Sequence, residues 1–146
     1  MRKISGLFGV LILSIGLMSC GGGGDGSVSP PPPPPPSPPP PTCATGTFCM
    51  GSAIFLTAAS TVQPVTLTVA ANAGVTWIND SGGTLHNVIF DDPASALAVG
   101  NGSAGNIPNH TTGSNQRQFA TAGNHPFHCS IHGTPGSGMR GVVVVQ

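Results

Sequence analysis

From Cys43 to Gln146 the sequence reads as an all-β fold, an antiparallel β-sandwich. Three observations predict it. Several segments alternate apolar and polar residues with period two, the pattern of half-buried strands. Short turns rich in Gly, Asn and Asp separate these segments at close spacing. No segment carries a long helical period, so helices cannot supply the second layer that a core needs.

The elements follow in order. "SAIFLTAA" (52–59) is an apolar strand segment. "VTLTVA" sets Val65, Leu67 and Val69 against Thr66 and Thr68. "NAG" turns the chain into "VTWIN", with Val75, Trp77 and Asn79 on one face. "DSGG" leads to a strand "LHNVIF", which "DDP" ends. "RQFA", the turn "TAGN" and "HPFHC" read as a hairpin, and the β-branched run in "MRGVVVVQ" closes the domain. Pro64 and Pro126 belong at strand starts or edges, where a missing N–H is tolerated. Residues 91–116 make a long Gly/Asn/Ser-rich connection in which "PASALAV" could hold a short helix after Pro93. Trp77, Phe127 and Met50 are expected in the core.

What precedes this domain is of another kind. Residues 1–19 hold Arg2 and Lys3, then an apolar run from Leu7 to Met18, the layout of a secretory signal. The run is shorter than the ~20 apolar residues of a spanning helix. Its end, "LMSC", resembles the lipobox of bacterial lipoproteins, which implies cleavage before Cys20 and lipid on its thiol. A plain secretory signal is the alternative. Gly21 after that Cys, instead of Asp, leans toward an outer membrane if the cell has two. Residues 20–42 are a Gly-run followed by a Pro-run broken only by Ser37, a flexible then polyproline tether. From Pro30 to Pro41 it spans on the order of 35–40 Å at ~3.1 Å per residue. The expected placement is therefore an exported, membrane-anchored lipoprotein.

The domain's charges are Asp80, Asp91 and Asp92 against Arg117 and Arg140, with neither Lys nor Glu. Such a charge-poor surface excludes nucleic acid as a partner, where a basic footprint is needed. It also makes electrostatic steering a minor route to any partner. With no Glu and no visible catalytic constellation, the domain does not read as an enzyme.

Cysteine use narrows the chemistry. In an oxidising compartment free thiols need a reason. Cys43 and Cys49 flank "ATGTF", with Gly46 free to turn, and are predicted to form a disulfide. With Cys20 lipidated, Cys129 is left over. It lies in "HPFHCSIHGTPGSGMRG" (125–141), which gathers three His, a Cys and a Met. Two residues separate Cys129 from His132, and six more separate His132 from Met139. His86, at the start of a distant strand, can join them at one end of a sandwich. One Cys, two His and a weak thioether match a trigonal blue-copper site with a long axial Met. Zinc prefers further Cys or His and rarely takes Met. His125 and His128 are expected on the strand near the site without binding the ion, and His110 in solvent.

Two stretches resemble the plastocyanin group of the cupredoxins. "LTVAANAGVTWINDSGGTLHNV" carries a Gly turn, a Val-x-Trp-x-Asn strand and a His-Asn pair. "AGNHPFHCSIHGTPGSGMRGVVVV" carries an aromatic strand, Cys-x-x-His and Met-x-Gly. Together they cover about half the domain. The resemblance implies a Greek-key, cupredoxin-like sandwich that holds one type I copper through His86, Cys129, His132 and Met139. It implies that Asn87 ties the first ligand loop to the Cys loop through Ser130. It implies an exposed His132 edge in an apolar patch, supplied here by Ile131 and "GTPGSG", that meets transient redox partners, the protein being a monomer. One departure stands out: the group places four residues between the second His and the Met, and this chain has six. The loop could bulge and return Met139, lengthen its bond, or leave another group there. The expected function is single-electron transfer. The alternatives are copper delivery without redox cycling and a structural β-domain on a stalk.

Overall fold

The computed structural model describes residues 31–33 and 43–146. The expected signal at 1–19, the expected lipid site Cys20 and the expected tether at 20–42 lie outside the described residues, apart from 31–33.

Among the described residues, nine strands make two stacked sheets. They are β1 (Thr47–Met50), β2 (Phe55–Leu56), β3 (Val65–Val69), β4 (Gly74–Asn79), β5 (His86–Phe90), β6 (Ile107–His110), β7 (Gly113–Gln118), β8 (Gly123–Thr134) and β9 (Ser137–Val145). One sheet runs β2-β1-β4-β7 and the other β3-β9-β8-β5-β6. The fold is the predicted sandwich, but its sheets are mixed. β1 lies parallel to β4 and β3 parallel to β9, while the other strand pairs are antiparallel. The cause is topological. The chain changes sheet between β2 and β3 and again between β3 and β4, so these neighbours are not joined by hairpins.

The expected hairpin over residues 117–129 is not one. β7 and β8 belong to different sheets, and the turn between them arches over the sandwich edge. Arg117 and Phe119 on one side, and Phe127 and Cys129 on the other, all point inward from opposite layers. An arch and a hairpin share the same strand–turn–strand signal, so local pattern does not separate them.

The expected helix in the long connection is a single 3-10 turn, Pro93–Ser95, whose N-cap Asp92 accepts from the Ala94 amide. The rest is organised by β7. Leu97 and Gln118 exchange backbone bonds, and buried Arg117 donates to the carbonyls of Gly105, Gln116 and Asn106. Burial lowers the Arg117 pKa, because no carboxylate offsets the lost hydration.

The core is aromatic. Phe127 meets the rings of Phe48, Phe55 and Trp77 edge-on, with centroids 4.8, 5.0 and 5.4 Å away. Met50 is fully buried beside them. Gly141 on β9 leaves room for this: a Cβ there would run into the Phe127 ring. Cys43 and Cys49 form a disulfide, and with Leu56 they make a second small cluster on the outer face of β1. That strand is therefore buried on both faces and lacks the alternation that marks the others.

Candidate metal centre

The site is built at one irregularity in a ladder. β8 and β9 pair in register from Gly123↔Val145 to His128↔Arg140, and again at Gly133↔Gly138 and Thr134↔Ser137. Between these, Cys129, Ser130, Ile131 and His132 lie opposite Met139 alone. Three extra residues on one strand force a bulge, and a bulge re-aims side chains. It turns Cys129 and His132 toward the same point, next to Met139. His86 arrives from β5, the neighbour of β8 in the same sheet.

The three His and Cys donors converge. Cys129 Sγ lies 3.7 Å from His86 Nδ1 and 3.7 Å from His132 Nδ1. One donor atom from each of the three residues lies within 4.8 Å of the other two. His86, Cys129 and Met139 are fully buried, whereas His132 is half-buried. Cys129 is the free cysteine among the described residues.

The longer His132–Met139 loop is absorbed outward. It continues the β8–β9 ladder and turns at Pro135 and Gly136. Two of its glycines, Gly133 and Gly138, are required by space. A Cβ on Gly133 would stand 2.6 Å from the Met139 nitrogen, and one on Gly138, whose φ is 74°, would run into the His132 carbonyl oxygen.

Asn87 joins the two ligand-bearing segments. Its Oδ1 accepts from the Ser130 amide at 2.9 Å, and its Nδ2 donates to Ser130 Oγ at 2.8 Å. The same Nδ2 also donates to Asn109 Oδ1 at 2.9 Å, a partner that the polar run before β7 gave no reason to single out.

The other histidines separate. His128 alternates to the opposite face from Cys129 and sits 3.8 Å from Asp91. His125 is four residues back, about 13 Å along an extended strand. It bonds Ser95 Oγ and the Thr121 carbonyl and is not brought to the site. His110 is not a solvated loop residue. It ends β6 directly opposite His86 in register, half-buried, with Nδ1 2.8 Å from the Pro108 carbonyl. Its position could be found only by knowing that 107–110 is a strand.

The donor set fits a soft ion. Bond lengths of about 2.3 Å to sulfur and about 2.0–2.1 Å to nitrogen, spread trigonally, separate S from N by ~3.8 Å. The observed separations of 3.7 Å match this, and both imidazoles offer the same nitrogen, Nδ1. They are long for bonds that only satisfy the thiol.

Comparison with family models finds no match. Plastocyanin of Scenedesmus fuscus is 34% identical over 89 residues, which cover 58% of this chain and 85% of that protein. The chain belongs to the plastocyanin family. Chloroplastic plastocyanin of Tetradesmus obliquus is 36% identical over 89 residues, 58% of this chain and 57% of its own. A solved Cu(I) structure of an amicyanin mutant matches 68% of this chain and 80% of its own, at 28% identity and TM-score 0.45. As a plastocyanin-family cupredoxin, the chain is a copper electron-transfer protein and not an enzyme.

The plastocyanin-like site carries a pH signature. The His86 pKa is held below its ordinary 6.5, first by burial and then by the positive charge His132 can carry; the Gly51 backbone pulls the other way, and His110 adds a smaller lowering. The folded chain thus resists a proton that the unfolded chain accepts. Stability of the copper-free protein is expected to be insensitive to this group above about pH 6.5 and to fall below it. The loss from this group is at most about 1.4 kcal/mol per pH unit. Thermal unfolding of the copper-free protein against pH checks the sign; a His86→Gln variant should lose this part of the slope.

Proposed function

We propose that His86, Cys129, His132 and Met139 hold one type I copper, and that the protein, anchored through lipid on Cys20, passes single electrons between exported redox proteins. The convergence of two imidazoles and a cysteine sulfur, beside one bulge, carries the reading. Copper supplies the one-electron couple. The chain's part is to hold the donors so that neither oxidation state forces them to move. Asn87 fixes the Cys129 segment against the His86 strand, and outer partners of this kind orient ligands and tune the metal.

Electrons need a short path to a partner. His132 is the less buried imidazole, and Ile131 beside it and Leu85 beside His86 are exposed apolar residues. A neutral apolar rim favours small, short-lived encounters. With so little net charge nearby, transfer rates should change little with ionic strength.

Voltammetry of the copper-loaded chain tests carrier against store. A reversible one-electron wave with fast exchange is expected; a wave that appears only on copper release would contradict electron transfer. Mass measurement of the mature N-terminus tests the anchor. A start at Cys20 with added acyl mass supports it, and an unmodified cysteine removes it.

A further inference from the structure

We propose that Gln63 and Arg140 form a brace that positions Met139 as a donor to the ion the site would hold, at the far end of the ligand loop from Asn87. This rests on the ligand set proposed above. Gln63 uses both ends of its amide. Nε2 donates to the Phe55 carbonyl at 2.6 Å and the Thr61 carbonyl at 3.2 Å. Oε1 accepts at 3.0 Å from the backbone amide of Arg140, the residue directly after Met139. The Arg140 guanidinium then reaches back along the loop, and Nη1 donates to the Gly136 carbonyl at 2.6 Å. One contact pins the chain just beyond Met139. The other ties the tip of the lengthened hairpin to the same residue.

The arrangement answers a specific need. A thioether is a weak axial ligand, so its distance is set by the scaffold more than by its own bond. The loop that delivers it holds Gly133, Gly136 and Gly138, which cost more chain entropy to order than other residues. Arg140 makes no ion pair among the described residues, where the recorded pair is His128 with Asp91. Its planar fork is used on a neutral carbonyl, which is a contact of shape and not of charge neutralisation.

The test uses the full chain. Gln63→Ala and Arg140→Met are made singly and again in a Met139→Ala background. Copper(II) affinity is read by chelator competition, alongside the visible spectrum, and copper-free melting reports the fold. Each single variant should weaken copper about tenfold, the low end for groups that orient ligands, and change the relative band intensities. In the Met139→Ala background the added loss should shrink to under about twofold, because coupled residues are non-additive. Arg140→Met keeps the backbone bond to Gln63 and carries the test if Gln63→Ala does not fold. Equal losses in both backgrounds would overturn the brace alone. A Met139→Ala protein with unchanged spectrum and affinity would instead overturn Met139 as a donor.

Discussion

A Cys129→Ser chain given copper(II) is expected to lose its intense visible absorption and its reversible one-electron couple. Both depend on a thiolate bonded to the ion, and a hydroxyl is a hard, protonated donor that cannot replace it. The substitution is nearly isosteric at a fully buried position. His86 Nδ1 and His132 Nδ1 stand 3.7 Å from the sulfur, beyond hydrogen-bond reach of a hydroxyl in the same place, so the cost is that of one poorly satisfied buried hydroxyl. The copper-free variant should therefore melt within about 2 kcal/mol of the parent. Weak, pale copper binding through the two remaining imidazoles fits this account. Retained strong colour would mean that another sulfur binds the metal.

Phe127→Ala should be the most damaging single change to the fold, at about 3–5 kcal/mol. That is a large share of a typical domain's stability of about 5–15 kcal/mol. The ring is 1% exposed and touches Phe48, Phe55 and Trp77 edge-on, so its removal leaves a cavity that these three rigid rings cannot easily close. The effect reaches the site as well, because Phe127 sits two residues before Cys129 on the same face of β8. Urea unfolding of the copper-free chain measures the loss. A midpoint close to the parent's would show that the aromatic cluster is not what holds the sheets together.

The interior of the molecule was legible where one strand face is dry and the other wet. β3 and β4 stand where the alternation of Val65–Val69 and Val75–Asn79 places them, and β5 stands where the run between the "DSGG" and "DDP" turns places it. β6 and all of β7 but its end at Arg117–Gln118 were not legible. They are edge strands with polar sequences, Ile107–His110 and Gly113–Gln118, whose positions depend on the neighbours they pair with. β1 was hidden for the opposite reason, burial on both faces. The parallel pairings and the arch at residues 119–122 follow from which sheet a strand joins, a choice made by the whole core. At the site, residue identity pointed to the donors, but the bulge that unites them is a register shift between β8 and β9. No single-strand pattern encodes that. The outward hairpin at Pro135–Gly136 likewise depends on Gly133 and Gly138 meeting across the ladder, and the Gln63–Arg140 contact spans 77 positions.

The most direct test is a crystal structure of the copper-loaded protein with anomalous scattering recorded at the copper edge. One strong copper peak is predicted, bonded to Cys129 Sγ, His86 Nδ1 and His132 Nδ1, with Asn87 still bridging to Ser130. A peak at His125, His128 or His110 instead, with the Cys129 sulfur out of bonding range, would contradict the account.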